Sequence, residues 1–433
     1  MAGLPRRRRV SSQLARVSYI DIFLGKAQSL MRFLLLFLCL VSLLGCSEQS
    51  SHSLSTEADA VVSDPVSHWP VAEPASLGLS EQQLLKIHAD INDGQYGWID
   101  SFLVIRNGRI AFERYYEHDY GEIYGEESRT PGPLVVQNFS GPYNYFNAFW
   151  HPYYKSSDLH SMQSVTKSIV SAVIGIAVGR GDFPDIDTPV LSFFDATQLL
   201  NIDDTKRAMT IRDLLTMSAG LEWDEGVPYS DPTNTFTIMA RSPDWVQYTL
   251  DQPMASQPGT EFNYNSGASL ILSQIFLQAT GIDIEVYAEE HLFQPLGIER
   301  YEWKRTPTGI ADTQEGLFLS ARDLAKIAQL FLQNGQWNNR EVVPQDWVID
   351  SLKPAFPLDN DASAGYGYKW WSLAYDHDGG DYVAYLGKGF GGQRPIILPD
   401  FDMVIVVTGW NILPNRPFFS AAEVIERVLL AVE

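Results

Sequence analysis

The stretch HSMQSVTKSIVSAVIGIAVGRG, residues 160–181, decides how this chain is read. Ser164 and Lys167 stand three apart. If Ser164 opens the helix that the following residues predict, the two side chains lie one turn apart on one face. A serine at a helix N-terminus sits in positive potential, which favours developing negative charge. A lysine in an apolar site holds its charge less readily and accepts a proton more easily. Together they make an activated nucleophile that needs no histidine. The chain has ten lysines, so about one S-x-x-K is expected by chance, and Ser164–Lys167 is the one it has. The competing reading is a helix cap and a surface lysine. Ile169, Val170, Ala172, Val173, Ile174 and Ile176 argue against it, because they suit a buried helix.

On either side of this segment the pattern changes. Upstream, Leu77–Asp93 reads as an amphipathic helix, and Ser101–Ile105 and Arg109–Tyr115 flank Asn107-Gly108, a strong hairpin signal. Residues 117–157 are loop-like and aromatic. Downstream, residues 182–380 read as mainly helical, with candidates at 209–218, 242–250, 267–280, 283–291, 320–334 and 344–352. Strand patterns return at Tyr382–Leu386, Arg394–Leu398 and Met403–Thr408, with a turn at Asp400-Phe401-Asp402, before a last helix at Phe418–Val432. No internal repeat is visible. The order predicts an α/β (α+β) fold. Strands from both chain ends pair in one antiparallel sheet flanked by helices, and a second, mostly α-helical lobe, roughly 182–380, is inserted between the sheet-forming halves. A cleft between the lobes is the expected ligand site.

The chain of 433 residues is 45% hydrophobic and 12% aromatic, enough for a large core. Its two cysteines are Cys39 and Cys46. Phe33–Leu44 is an apolar run of signal-peptide length, preceded by Arg32 and ending in Leu43-Leu44-Gly45-Cys46, which resembles a bacterial lipobox. That resemblance implies lipid on Cys46, cleavage before it, and an exported, periplasmic protein anchored to a bacterial membrane. The alternative is an ordinary signal peptide with an incidental cysteine; a twin-arginine signal from Arg6–Arg9 fits less well. Met31 starts a more typical signal peptide than Met1, so residues 1–30 are read as a possible misplaced start. Residues 46–75 are expected to form a flexible tether and 76–433 the folded domain.

Cleavage deepens the acidity. Residues 1–45 hold seven of the 31 basic and one of the 53 acidic residues, so the remainder carries 24 and 52, a net charge of −28 against −22 for the whole chain. So acidic a protein is a poor partner for nucleic acid. Membrane contact is expected through the N-terminal lipid only. With both cysteines in or beside the signal, the nucleophile of the mature chain must be a hydroxyl.

The segment 160–181 resembles the active-serine segment of the β-lactamase-related serine hydrolases, which include penicillin-binding proteins, class C β-lactamases, related esterases and 6-aminohexanoate-dimer hydrolases. Thr210–Leu221 (TIRDLLTMSAGL), Phe262–Gly267 (FNYNSG), Ser320–Lys326 (SARDLAK) and Gly365–Trp371 (GYGYKWW) resemble further family segments in order and spacing. The resemblance covers roughly residues 75–430 and implies a β-lactamase/transpeptidase-like fold. It makes Tyr264 the second catalytic group, relaying a proton between Ser164 and a leaving group. Otherwise Tyr264 is one of 20 tyrosines and reads as core. Gly387-Lys388-Gly389-Phe390-Gly391-Gly392-Gln393 takes the place of K-T-G. There the family's strand edge gives a backbone N–H to the oxyanion hole, beside that of the nucleophile. The alignment expects Gly392 as that donor, with Gln393 and Asn265 binding substrate; Lys388 as a displaced motif lysine, or a glycine-rich bend without a catalytic task, are the alternatives.

Two departures matter: Y-N-S replaces Y-x-N, and strict K-T-G is absent. Both turn the expectation from β-lactams and peptidoglycan toward small amides or esters, nearest the 6-aminohexanoate-dimer hydrolase branch. A D,D-peptidase or β-lactamase, and a catalytically silent binding protein of the same fold, stay open. No G-x-S-x-G, H-E-x-x-H or phosphate loop is present. His160, four before Ser164, is read as structural, and the eight histidines form no ligand-spaced pair, so no metal or organic cofactor is expected. Oligomeric state stays open.

Overall fold

Two antiparallel strands laid side by side from opposite ends of the chain set the architecture. The computed structural model describes residues 69–125, 157–229, 231–358, 364–412 and 417–433. Helix α1 (Glu81–Asn92) precedes the hairpin of β1 (Ile99–Arg106) and β2 (Arg109–Tyr115). β3 (His160–Ser161) leads into the nucleophile helix α2 (Val165–Arg180). The helical block then carries α3 (Ile211–Leu215), α4 (Trp245–Leu250), α5 (Ser266–Thr280), the short strands β4 (Glu302–Trp303) and β5 (Leu317–Leu319), α6 (Ala321–Leu332) and α7 (Gln345–Leu352). The chain closes with β6 (Phe356–Pro357), β7 (Ala364–Tyr366), β8 (Trp371–His377), β9 (Gly380–Leu386), β10 (Arg394–Leu398), β11 (Met403–Gly409) and α8 (Ala421–Leu429).

Among the described residues the main sheet has eight strands in the order β2-β1-β11-β10-β9-β8-β7-β6. β1 meets β11 from Ile99 opposite Gly409 to Arg106 opposite Met403. Strand side chains alternate between faces. Leu103, Ile105, Val404 and Val406 join the large core with α2, α6 and the helical block. Phe102, Val104, Ile405 and Val407 join a second core under α1 and α8. The apolar α2 is buried from Val165 to Ala177, as its sequence predicts for a core helix. It is packed so closely that a Cβ at Gly175 would stand 2.3 Å from the Trp347 ring.

Two boundaries differ from expectation. Residues 70–72 are not tether: Ile110 N–H donates to Pro70 O at 2.9 Å and Ala72 N–H to Ile110 O at 3.0 Å, an added rung on β2. The helical insertion ends at α7 rather than near 380, because β6, β7 and β8 extend the main sheet on its β9 side. Cys39, Cys46 and the apolar run Phe33–Leu44 lie outside the described residues, so the signal and lipid expectations have no structural counterpart here.

Candidate active site

The turn into α2 is built to present Ser164. Gln163 holds φ +49°, a left-handed conformation that side-chain-bearing residues rarely adopt. Its Nε2 donates to Ser161 Oγ at 2.8 Å. Two residues back, β3 is paired with β5, and Met162 N–H donates to Leu317 O at 2.8 Å. Val165, Thr166 and Lys167 N–H bond to Met162, Gln163 and Ser164 carbonyls, so the first turn is closed. The Ser164 N–H donates to no acceptor among the described residues, and its side chain caps nothing.

Lys167, 1% exposed, reaches back along the helix face. Its Nζ donates to Ser164 Oγ at 2.9 Å and to Gln314 O at 2.9 Å. The Gln314 carbonyl is fixed by a tight loop: Asp312 Oδ1 accepts from Gln314 and Glu315 N–H, and Gly316 N–H closes onto Asp312 O. Asp312 is buried, its carboxyl pKa pushed up to about 7 by that burial, with Glu315 adding to it. Burial holds neighbouring Lys304 below the usual lysine value.

Tyr264 brings a phenol to the same place. Its ring stacks on Trp371, centroids 6.0 Å apart, and the Lys167 ammonium lies 5.2 Å from its centroid. Asn263 N–H, bonded to Met217 O at 2.7 Å, anchors the segment before it. Tyr366 and Phe262 close the aromatic wall behind. Tyr264, about a hundred residues further along the chain, is thus brought beside the Lys167 that bonds Ser164.

The other expected site residues make bonds to the surrounding backbone. Asn265 is the N-cap of α5, its Oδ1 accepting from Ala268 N–H at 3.0 Å, and it is buried. Gln393 is buried as well: its Nε2 donates to Gly409 O and Phe390 O, and its Oε1 accepts from Gly409 N–H, which ties the glycine bend to the end of β11. The expectation of Gly392 as oxyanion donor is not met, because its N–H donates to Gly389 O at 3.2 Å within that bend. Gly389 is the close approach instead. A Cβ there would stand 2.5 Å from Met162 O, and one at Gly387 3.1 Å from Val165, so this edge runs against the nucleophile turn. His160 is structural, its Nε2 2.8 Å from Asp100 Oδ2.

Three contributors were not singled out from sequence. Gln314 acts through its carbonyl, to which sequence is silent. Glu225 accepts from Ser266 N–H, Ser266 Oγ and Trp223 Nε1 at the start of α5. Lys369, within the GYGYKWW segment, is buried with Nζ on Leu214 O at 2.6 Å. Burial, with the Lys167 charge adding to it, holds its ammonium well below the usual lysine pKa.

A family model described as Beta-lactamase matches residues 100–429. The chain belongs to the Beta-lactamase family. Within that family it is 25% identical, over 305 residues, to a 6-aminohexanoate-dimer hydrolase of Paenarthrobacter ureafaciens, covering 66% of this chain and 74% of that one. Its fold is that of a Streptomyces D-stereospecific amidohydrolase (TM-score 0.55, 14% identity, 82% of this chain and 98% of that one). A penicillin-binding protein of Bacillus halodurans shares it too (TM-score 0.52, 18% identity, 75% and 94%). This member of the Beta-lactamase family has the β-lactamase/transpeptidase-like α/β fold.

Proposed function

We propose that this protein is a serine hydrolase that cleaves small amides or esters through an acyl-enzyme on Ser164. The observation that carries this is the 2.9 Å hydrogen bond between Ser164 Oγ and the buried Lys167 Nζ. Ser164 Oγ attacks the substrate carbonyl carbon, and its proton passes to the Lys167–Tyr264 pair. The carbonyl oxygen gathers negative charge within reach of the Ser164 N–H. As the carbon–leaving-group bond breaks, the leaving amine or alcohol takes the proton. Water then attacks the acyl-enzyme by the same route and restores Ser164. Similarity to a 6-aminohexanoate-dimer hydrolase, and the departures from Y-x-N and K-T-G, favour linear amides and esters over β-lactams.

The test is intact-mass spectrometry after a fluorophosphonate probe, with hydrolysis of p-nitrophenyl esters and linear amides alongside. One covalent adduct, lost in Ser164→Ala together with turnover, is expected. Wild-type turnover by Ser164→Ala overturns the reading, and turnover of a chromogenic cephalosporin in place of esters and amides moves it to β-lactams. The lipobox-like Leu43–Cys46 supports a lipid-anchored, periplasmic location, tested by incorporation of labelled fatty acid that Cys46→Ala abolishes.

A further inference from the structure

At the end of the main sheet away from the nucleophile, a cavity of about 470 Å³ opens beside the turn between β1 and β2. Small-ligand sites span roughly 300–1,000 Å³. Two tryptophans form its corner. Trp69 Nε1 donates to Gly108 O at 2.9 Å, which ties that ring to the turn. Trp337 meets it edge to face, with centroids 5.9 Å apart and ring planes at 83°. Trp337 is carried by a small hairpin in which Gln336–Trp337 pairs with Arg340–Glu341. Asn338 and Asn339 both take positive φ at its tip, as the favoured two-residue turn requires.

Five side-chain amides share this cavity: Gln329, Gln333, Gln336, Asn338 and Asn339. None of the five makes a side-chain hydrogen bond among the described residues. Gln329 is the most telling. It is 2% exposed, and neither its Oε1 nor its Nε2 has a partner, whereas buried amides are normally bonded. Lys326, Gln329 and Gln333 follow at helical spacing along α6 and onto its end, so they share one face.

Charge narrows the ligand. No aspartate or glutamate among the described residues lines the cavity, in a chain that has 53 of them. The cation there, Lys326, is already engaged, donating to Gly297 O and Asp323 Oδ1, both at 2.8 Å. A neutral ligand is therefore favoured. A side-chain amide offers both donors and an acceptor, which suits hydroxyl groups. The negative face of an indole attracts polarised C–H groups. Sugars present both, hydroxyls at the ring edge and C–H groups on the ring face. The two indoles stand nearly perpendicular and leave no parallel slot for a flat base.

We infer that this cavity is a binding site for a neutral saccharide, separate from the catalytic centre. The turn lies at the opposite end of β1 from Ile99, which faces Gly409, the residue that Gln393 holds. The eight residues of β1 set the two ends roughly 25 Å apart, so a saccharide bound here leaves the Ser164 cleft free.

The test is saturation-transfer difference NMR on the whole protein. Cellotetraose, maltotetraose and tetra-N-acetylchitotetraose are the soluble probes, with adenosine as the flat control, and co-sedimentation with insoluble cellulose and chitin runs alongside. At least one saccharide is expected to bind. Trp337→Ala and Gln329→Leu should each weaken that binding at least about tenfold. Gln329→Leu fills nearly the same volume without the amide, so a glutamine with a packing role alone would leave binding unchanged. If Trp337→Ala melts early, Gln333→Ala and Asn338→Ala, at exposed positions, decide in its place. Binding of the tetrasaccharides supports a site for free sugars, and binding of the insoluble polymers alone supports a site for glycan surfaces. Adenosine binding that the same substitutions abolish overturns the saccharide class. The site is overturned if no saccharide binds in either form at millimolar concentration, or if none of the substitutions weakens binding. Binding is read without turnover, so this outcome is independent of the hydrolase reading.

Discussion

Gly389 faces the carbonyl oxygen of Met162 with no room for a side chain between them: a Cβ would sit 2.5 Å from that oxygen. The backbone of the third motif thereby touches the turn that presents Ser164. Gly389→Ala must push the two apart. Because a displacement on the order of 1 Å at a reacting centre costs about 100-fold in rate, kcat for ester hydrolysis should fall by about that factor. A variant with wild-type kcat would mean that this edge does not set the geometry of the site.

Tyr264→Phe keeps the stack on Trp371 and removes only the hydroxyl. Loss of a proton-relay group costs about 10²–10⁴ in rate. The drop should fall in kcat with KM little changed, and the melting temperature should hold. Equal losses for Tyr264→Phe and Tyr264→Ala are also expected if the hydroxyl is what matters. A fully active Phe variant removes Tyr264 from the proton route.

Asp312 makes stability depend on pH with a definite sign. Burial raises its carboxyl to about 7, above the ordinary value near 3.9, so the folded chain binds a proton that the unfolded chain releases. The stabilisation is complete below about pH 4 and is lost as pH rises through about 7. Asp312→Asn keeps an oxygen for the Gln314 and Glu315 N–H groups but cannot ionise. Melting curves at pH 5 and pH 8 should therefore differ more for the wild type than for the variant. Parallel shifts in both proteins would count against this.

Gln393→Leu separates a scaffold role from substrate binding. The substitution removes the buried bonds to Gly409 N–H and Gly409 O and the part-buried bond to Phe390 O. Losing hydrogen bonds in such a place should cost about 2 kcal/mol or more. Lower thermal stability is expected together with a KM close to wild type at a temperature where the variant is folded. A raised KM at unchanged stability would return Gln393 to the substrate.

Particular residues show what sequence reveals. Ser164 and Lys167 were legible because the pair is defined by its spacing on one helix, and the all-round apolar run after them announced a buried helix. The hairpin was legible because Asn107-Gly108 favours one turn, and Asn107 and Gly108 do take positive φ. β6, β7 and β8 were not, since the first two are only two and three residues long and Gly367–Trp370 interrupts the run before β8. Asn265 and Gln393 were placed with the substrate because polar residues in a motif look available. Their actual partners are backbone groups brought in by folding, Ala268 for one and Gly409 for the other, and residue type does not name a partner. Gln314 shows the limit most plainly, since any residue offers a carbonyl.

The pairing of β1 with β11 also bears on the order of events during synthesis. Residues 99–106 have their neighbour on one side at once, in β2, but wait for residues 403–409 on the other. Almost the whole polypeptide must leave the ribosome before the central ladder can zip, and α1 stays uncovered until α8 arrives. Closing so long a loop makes folding slow relative to a protein with local contacts. A ribosome stalled before residue 403 should therefore carry a chain that a protease degrades readily, whereas release of the full chain should bring resistance and the ability to take the active-serine probe in a single step.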